Sequence, residues 1–563
     1  MSIRTASTSA DPALPAARCS RCSRSSRRSR RCRLPLSSSA VERDLTAMRI
    51  RIVGAGAMGR GIAQWAASAG HTVELADVRP EAVREALGFV ASMLDRAVAK
   101  GRMSAAAREA SVARLVPLAD PWAAGPDVEL VIEAVREDLE TKAEVFGQLE
   151  RALPASAVFA TNTSSLSVTR IAATLQDPTR LAGLHFFNPV PLMRIVEVVP
   201  GSATRPEIPA LLTALVEGCG HRAVTVADTP GFLVNHAGRG LVTEALALLE
   251  ESVAEPAEID RIARDVLGLR MGPFELMDLT GLDVTAAVID SIWLGFRHED
   301  RLRPSFLTPN RVAAGLHGRK TGRGWYAYGD GASGPAPESP VTGDGERPVF
   351  LVRGGRPETA AYEEELAGAL EAAGVRIERG ARPSAEAVVL VPVWGTAVSA
   401  AVAADGLPRE RTFGVEVLPA AGRRRVLAVT AAGDATAARD ARAVLARAAG
   451  GGEPYAVSVV RDTAGSVAQR LLSSVVAVGC SIAERSLAAP ADIDLAVTTG
   501  LGYPAGPLAW GERVGAVRML ALQRALHATT GDPRHRPTRW VTERAALGLA
   551  LTDPGTSPAD CLG

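Results

Sequence analysis

Residues 183–199 hold the side chains best able to do chemistry. They read Gly183-Leu184-His185-Phe186-Phe187-Asn188-Pro189-Val190-Pro191-Leu192-Met193-Arg194-Ile195-Val196-Glu197-Val198-Val199. Two apolar runs flank a segment with two prolines, which turns tolerate and the middle of paired strands excludes. The turn therefore falls near Pro191, and His185 and Glu197 are equidistant from it. A hairpin closed there sets imidazole across from carboxylate. A histidine held in one tautomer by a carboxylate that also stabilises the imidazolium is a general base. Taken alone, the same two residues more often describe a strand-end histidine and an unrelated surface glutamate, so the meaning of the pair rests on its neighbours.

The neighbour that matters most lies upstream. The short apolar strand Arg49-Ile50-Arg51-Ile52-Val53 runs into Gly54-Ala55-Gly56-Ala57-Met58-Gly59 and then into a helical run ending at Gly70; the next strand, from Thr72, ends in Asp77. A G-x-G-x-x-G loop between strand and helix, with an acid closing the next strand, is a dinucleotide site. The glycines allow a tight turn and close backbone approach to a pyrophosphate, and the helix N-terminus receives its charge. Asp77 would bind the adenosine ribose and repel a 2′-phosphate, favouring NAD over NADP, with Arg79 two residues on as an opposing charge.

Further elements must bring other polar groups to the same edge. Residues 81 to about 118 read as helical, with Lys100-Gly101-Arg102 as a basic helix end. A buried strand over 128–134 leads to Glu137 and Lys142, and a strand over 157–160 ends in Thr161-Asn162-Thr163-Ser164-Ser165. Both fall at the carboxyl ends of strands, the side on which doubly wound sheets bind ligands. At Asp228-Thr229-Pro230-Gly231-Phe232-Leu233-Val234-Asn235 the pattern turns helical and stays so to about residue 328.

A second half repeats the first. An offset of 234 carries Asp228, Thr229, Gly231, Pro256, Ile259, Asp260, Gly272, Pro273 and Gly281 onto Asp462, Thr463, Gly465, Pro490, Ile493, Asp494, Gly506, Pro507 and Gly515. The intervening stretch alternates strand and helix but has Arg353-Gly354-Gly355-Arg356 where the glycine loop would stand. An offset of 231 places Glu416 at the position of His185 and Ala428 at that of Glu197, while Asn235 becomes Gln469. The second copy is expected to keep the fold and lose the site. The organisation read from the sequence is a basic tail (1–47), a dinucleotide-binding α/β Rossmann domain (48–227), an all-α domain (228–328), a linker (329–346), a reduced Rossmann-like domain (347–461) and a second helical domain (462–563).

Composition bounds the function. Of 563 residues, 63 are Lys or Arg and 62 Asp or Glu. Residues 1–47 hold ten Arg and three acids, leaving 53 basic against 59 acidic residues and a net of −6 for the rest. Nothing in this balance points to nucleic acid, and no window has the 18 or more uncharged apolar residues of a membrane span. The tail lacks apolar periodicity and is expected to be disordered. It has no signal-peptide apolar core, though an Arg/Ser-rich transit peptide fits, and Met48 opens a strand directly, so the native start is expected there. Cys19, Cys22 and Cys32 lack the second pair a zinc site needs, and Cys219, Cys480 and Cys561 are scattered, so no metal or disulfide framework is expected and the protein is placed in the cytoplasm.

A dinucleotide site followed by a His/Glu pair suggests oxidation of a secondary alcohol, with His185 taking the hydroxyl proton and Ser164 and Asn235 hydrogen-bonding substrate oxygens. Four motifs in order, the glycine loop with Asp77, residues 161–165, residues 183–199 and residues 228–235, resemble the L-3-hydroxyacyl-CoA dehydrogenase family. The resemblance covers residues 48 to about 328. It implies His185 as catalytic base, Glu197 as its partner, Ser164 and Asn235 completing the site, Ser164 and Lys100 as CoA-substrate contacts, and Glu137, Lys142, Asn162 and Lys320 as cofactor contacts beside the loop residues Gly54, Ala55, Gly56, Ala57, Met58 and Gly59. Met93 stands where the family often has a polar CoA contact. The two-copy layout is similar to family members of phenylacetate degradation acting on 3-hydroxyadipyl-CoA, and also suits 3-hydroxybutyryl-CoA. It implies a homo-oligomer or an internal pseudo-dimer, in which the two helical copies must touch. The competing readings are a dehydrogenase of a free hydroxy acid and a non-catalytic NAD-binding scaffold.

Overall fold

A computed structural model of the chain describes residues 47–329, 332–354, 357–418 and 421–562. The expected disordered tail lies outside these residues except for Ala47. The first sheet comprises β1 (Arg49–Val53), β2 (Thr72–Ala76), β3 (Leu115–Leu118), β4 (Leu130–Glu133), β5 (Val158–Thr161), β6 (Leu181–Phe186), β7 (Ile195–Pro200) and β8 (Arg222–Thr225). Its order is β3-β2-β1-β4-β5-β6-β7-β8, parallel throughout except between β6 and β7. The runs of β4, β5 and β6 are largely apolar with little alternation because helices cover both faces of a parallel sheet. β6 and β7 are the expected hairpin. His185 pairs with Glu197 in register, and Gly183 with Val199.

One expectation fails at the opposite edge. Residues 81–118 do not form helix throughout: the helix Pro80–Ala99 stops at Lys100, and a second one, Ala105–Ala113, starts where the Ser104 hydroxyl accepts from the Ala107 amide at 3.1 Å. Leu115–Leu118 is then β3, the outer strand beside β2. Pro117 is admissible there because an edge strand leaves one row of N–H groups unpaired.

The first helical copy contains Val234–Ala237, Arg239–Glu250, Pro256–Asp265, Pro273–Thr280, Leu282–Gly295 and Leu307–Ala313, and ends in the short pair β9 (Ala327–Gly329) and β10 (Ala332–Gly334). The second contains Ser466–Glu484, Pro490–Gly500, Pro507–Val514, Ala516–Thr530 and Arg539–Leu547. The repeat extends to side-chain roles. Asp260 accepts the amides of Phe274 and Glu275, and Asp494 those of Leu508 and Ala509, all at 2.8–2.9 Å. A Cβ on Gly272 or Gly506 would stand 2.3 or 2.2 Å from the Cβ of its aspartate, so both copies need glycine there.

The two helical copies pack together within the compact unit Ala47–Gly563. Ser466–Glu484 is long and apolar enough to cross a membrane, but it is buried inside the protein against Arg239–Glu250. Backbones come close where Gly240 meets Ser474 and Val475. Arg470, fully buried, donates from Nε to Glu244 at 2.6 Å and from Nη2 to Glu251 at 2.8 Å. Replacing it by Met strands Glu244, itself 1% exposed, and should destabilise the protein by about 3 kcal/mol in urea unfolding. The double variant Arg470→Met/Glu244→Leu should recover most of that loss; equal loss in both variants would show that the ion pair is not the cause.

The segment 329–346 is not a free linker along its described length. Arg261 donates to the Ala336 carbonyl, Arg424 to the Glu338 carboxylate and Arg442 to the Ser339 and Pro340 carbonyls. It leads to a smaller sheet of β11 (Val349–Leu351), β12 (Ile377–Glu378), β13 (Val388–Val393), β14 (Thr412–Glu416), β15 (Arg424–Val429) and β16 (Ala456–Arg461). The order is β12-β11-β13-β14-β15-β16, with β14 and β15 antiparallel. This is a reduced Rossmann-like arrangement whose hairpin echoes β6 and β7.

That echo corrects one correspondence. Ala428 does not face Glu416; it pairs with Gly414, and Val415 pairs with Leu427, which sets Val426 across from Glu416. The turn of the second hairpin is shorter, and the register shifts by two residues, the smallest step that keeps every side chain on its own face. Val426 thus stands in the place of Glu197.

Candidate active site

The glycine loop is shaped as the sequence requires. Gly54 has φ +106°, and a Cβ there would lie 2.5 Å from the Ala134 carbonyl oxygen; a Cβ on Gly59 would lie 1.7 Å from the carbonyl oxygen of Gly54. Gly56 has nothing within 4 Å of its missing Cβ, an open face at the start of the helix Ala57–Ser68. Asp77 closes β2 with its carboxylate on the loop, accepting the Ala55 amide at 2.8 Å and the Arg79 amide at 3.0 Å. The Arg79 guanidinium is largely exposed, 3.8 Å from the same carboxylate. Two glycines that nothing larger can replace, a third left open at a helix N-terminus and an acid at the next strand fit a dinucleotide and its pyrophosphate.

Between this loop and the hairpin lies a clamp built on Glu137. Its Oε1 accepts from the Thr163 hydroxyl and the Ser164 amide at 2.7 Å, the Ser165 amide at 2.8 Å and the Ser165 hydroxyl at 3.0 Å. The Ser164 hydroxyl lies at 3.3 Å. Burial alone would raise the Glu137 pKa, but the Thr163 hydrogen bond, the Lys142 charge and the two serine amides outweigh it and hold it at about 2. A carboxylate depressed in this way contributes stability above its ordinary pKa of 4.5 and loses it as pH falls through about 2. The loop carrying Ser164 is therefore held at every pH near neutrality.

Lys142 differs from expectation. It is enclosed, its ammonium 2.6 Å from Glu133 and 3.4 Å from Glu137, with its side chain 1% exposed. Glu133, which the sequence reading passed over, ends β4 and also accepts from the Thr161 hydroxyl at 2.7 Å and the Val135 amide at 2.8 Å. An acid closing an otherwise apolar strand was the signal that could have revealed it. Asn162 Oδ1 accepts the Phe186 amide at 2.8 Å, tying this loop to the residue after His185.

The pair itself is closed and buried. His185 Nδ1 lies 2.6 Å from Glu197 Oε2, with the side chains 7% and 0% exposed. The rings of Phe187 and Phe232 stand 4.5 and 5.6 Å from the imidazole. Glu197 is thus no surface glutamate, and it has a second task that was not foreseen. Its Oε1 accepts the amides of Leu233 at 2.9 Å and Val234 at 2.8 Å, at the start of the helix Val234–Ala237. Gly231 and Phe232, both at positive φ (73° and 49°), turn the chain so that these amides meet the carboxylate. One side chain thereby orients the imidazole and docks the helical copy on the sheet. Asn235 follows directly; it is half-buried, and its side-chain amide has no protein partner among the described residues.

Asp228, read only as the point where the pattern changes, also joins the two domains. It accepts the Ser167 hydroxyl at 2.8 Å and the amides of Val168 and Thr169 at 3.0 and 2.7 Å, capping the helix after the Ser164 loop. Asp462 does the same with Val398 and Ser399 in the second half.

A cavity of about 360 Å³ opens beside this cluster, lined by Ser164, Ser165 and Gly231 on one side and by Val284, Val288 and Ile292 on the other. Asp283 is also in its wall and binds Lys320 Nζ at 2.6 Å, so Lys320 stands at the rim. Lys100 is not brought into the cluster: it stands exposed at the end of Pro80–Ala99, its side chain without a hydrogen bond or ion pair among the described residues. No group of three or more potential metal ligands occurs among the described residues.

A dinucleotide loop at one end of the sheet and a buried His/Glu pair on its hairpin are the features of an oxidoreductase. Residues 49–229 match the family model "3-hydroxyacyl-CoA dehydrogenase, NAD binding domain", and residues 231–328 and again 465–555 match "3-hydroxyacyl-CoA dehydrogenase, C-terminal domain". The chain is 34% identical over 498 residues to a 3-hydroxyadipyl-CoA dehydrogenase of Escherichia coli (strain K12), covering 88% of this chain and 97% of that protein. It is 38% identical over 280 residues to a probable 3-hydroxybutyryl-CoA dehydrogenase of Bacillus subtilis (strain 168), covering 50% of this chain and 97% of that one. The solved structure of a 3-hydroxybutyryl-CoA dehydrogenase from Escherichia coli K12 superposes with a TM-score of 0.77 at 33% identity, over 89% of this chain and 99% of its own. The chain belongs to the 3-hydroxyacyl-CoA dehydrogenase family. Its reaction class is the NAD-dependent oxidation of a 3-hydroxyacyl-CoA to the 3-ketoacyl-CoA.

Proposed function

We propose that His185 is the general base of this oxidation and that the substrate is 3-hydroxyadipyl-CoA. The observation that carries the first part is the 2.6 Å contact of His185 Nδ1 with a carboxylate that is fully buried and already holds two backbone amides. With Nδ1 donating to Glu197, Nε2 is free to take the proton of the substrate 3-hydroxyl, and Glu197 stabilises the imidazolium that forms. Ser164, fixed by Glu137, and Asn235, placed by the amides that Glu197 holds, hydrogen-bond the substrate oxygens and orient the carbinol carbon. When bound, NAD accepts the two electrons and one hydrogen released from that carbon. Gly54 to Gly59 hold its pyrophosphate, Asp77 its adenosine ribose, and Glu137, Asn162 and Lys320 border its course to the cleft; Lys142 positions Glu137. Lys100 meets the CoA phosphates at the protein surface.

The choice of acyl chain is supported by the relative that matches almost end to end, whose name specifies the adipyl substrate. A C4 substrate is the second reading, favoured by the cavity beside Ser164, whose lining includes no arginine or lysine to meet a distal carboxylate. Steady-state comparison of 3-hydroxyadipyl-CoA and 3-hydroxybutyryl-CoA decides between them: kcat/KM should be about tenfold or more higher for the adipyl substrate, and the reverse ratio would give the second reading.

Cofactor choice has its own test. Asp77→Asn keeps an acceptor for the Ala55 amide, removes the charge facing a 2′-phosphate and frees Arg79. The ratio of kcat/KM for NADP to that for NAD should rise by about tenfold or more; an unchanged ratio would mean that Asp77 does not read the ribose. The mutual packing of the helical copies further supports an internal pseudo-dimer, with the second copy serving as the partner that a single-copy relative would have to find in another chain.

A further inference from the structure

The second hairpin lost its base but did not close over. A cavity of about 180 Å³ lies where β14 ends and β15 begins, walled by Glu416, Glu365, Arg423, Arg425, Tyr362 and Tyr455, with Val266 of the first helical copy also in its lining. Among the described residues Glu416 Oε2 is buried there without a partner, whereas Arg423 donates to the Glu453 carbonyl and Arg424 is paired with Asp265 and Glu338. Arg425 is buried, and Nη1 donates to the Leu445 carbonyl at 2.8 Å, yet among the described residues no carboxylate lies within ion-pair distance of it. Its guanidinium and that of Arg423 sit over the Tyr455 ring, 3.8 and 4.4 Å from the centroid.

Facing them is Glu416. Its Oε1 accepts from Gln469 Nε2 at 2.5 Å and from the amides of Val417 and Leu418 at 3.0 and 3.3 Å, while its Oε2 is buried without a partner. Burial pushes the Glu416 pKa up to about 7, so at neutral pH the carboxyl is protonated for much of the time, and the crowded Oε1 leaves Oε2 to carry the proton. A cation without a counter-ion and a carboxyl oxygen without a partner are each costly to bury. They become complementary once a third group stands between them.

We propose that this cavity is a second small-molecule site, taking a short carboxylic acid whose carboxylate rests on Arg425 and Arg423 and accepts a hydrogen bond from Glu416, with its alkyl stem against Val266 and Leu418. A planar carboxylate matches the parallel N–H pair of a guanidinium. The volume suits roughly six non-hydrogen atoms, taking about 30 Å³ as the share of one water. A phosphate dianion matches the site less well, because it would leave the apolar wall unfilled and crowd two acidic groups together.

The test is calorimetric titration of the full chain, saturated with NADH, with sodium butyrate and, separately, with inorganic phosphate. Butyrate should bind one to one, and phosphate should not compete. Arg425→Met should weaken butyrate by about tenfold or more, and Arg423→Gln, an exposed position where folding is not at stake, by a smaller factor. Both variants should keep wild-type turnover of the acyl-CoA substrate, which separates this site from the His185 cleft. Absence of butyrate heat at about 10 mM, equal affinity in wild type and Arg423→Gln, or preferential binding of phosphate would each overturn the proposal. Loss of butyrate binding in His185→Gln would assign the heat to the catalytic cleft and overturn it as well.

Discussion

His185→Gln should lower kcat for 3-hydroxyacyl-CoA oxidation by about 10²–10⁴-fold, the contribution of a positioned acid–base group, while NADH binds as tightly as to the wild type. The amide fills most of the space between Phe187 and Phe232 and can still donate to Glu197, so the hairpin and its two backbone contacts persist. What it cannot do is accept the hydroxyl proton. The glycine loop and Asp77 lie on other strands of the sheet, and nothing in the substitution touches them. Steady-state kinetics with a fluorescence titration of NADH separates the two effects. Turnover within about tenfold of wild type would show that the proton leaves by another route, and lost NADH affinity would show that the variant disturbs the sheet instead of the chemistry.

The parts of this site legible in the sequence are those fixed by local rules. A strand, a glycine loop and a closing acid are neighbours along the chain, and strand pairing about Pro191 follows from counting, so Gly54 to Gly59, Asp77, His185 and Glu197 are where they were expected. The fold class was legible for the same reason, because strand and helix periodicities alternate cleanly and the offset of 234 repeats them. Contacts that cross between elements were not. Nothing in the order of residues says that Glu137 gathers Thr163, Ser164 and Ser165, that Lys142 is walled in by two glutamates, or that Asp228 reaches back to Val168 and Thr169. The misplaced partner of Glu416 has the most specific cause. A shorter turn moved β15 by two residues, and an ungapped offset cannot see a shift that conserves the apolar face.

The second half acts as an internal control on the first. Gly465 and Ser466 repeat the positive φ of Gly231 and Phe232, at 71° and 51°, so the turn into the helix survives without a carboxylate at the position of Glu197. In its place Gln469 crosses from the helix Ser466–Glu484 to Glu416 and to the Val393 carbonyl. The docking of helical copy on sheet can therefore be built in two ways. Only in the first of them does the docking carboxylate also hold an imidazole, at His185 Nδ1.

Glu197 should accordingly show two separable losses. In Glu197→Gln the side-chain oxygen can keep the amides of Leu233 and Val234, but the group now facing His185 Nδ1 is an NH₂. Nδ1 must then accept, the ring proton moves to Nε2, and the nitrogen that should take the hydroxyl proton already carries one. kcat should fall by about 10²–10³-fold, with the urea midpoint close to that of the wild type. In Glu197→Ala the imidazole N–H and both amides lose their acceptor in a site closed to water, and stability should fall by about 3 kcal/mol, the sum expected for buried donors left unpaired, together with the rate. Measuring both variants by kinetics and by urea unfolding distinguishes the roles. If Glu197→Gln loses stability as severely as Glu197→Ala while retaining its rate, the carboxylate serves only to dock the helical copy, and the assignment of His185 as a base oriented by Glu197 fails.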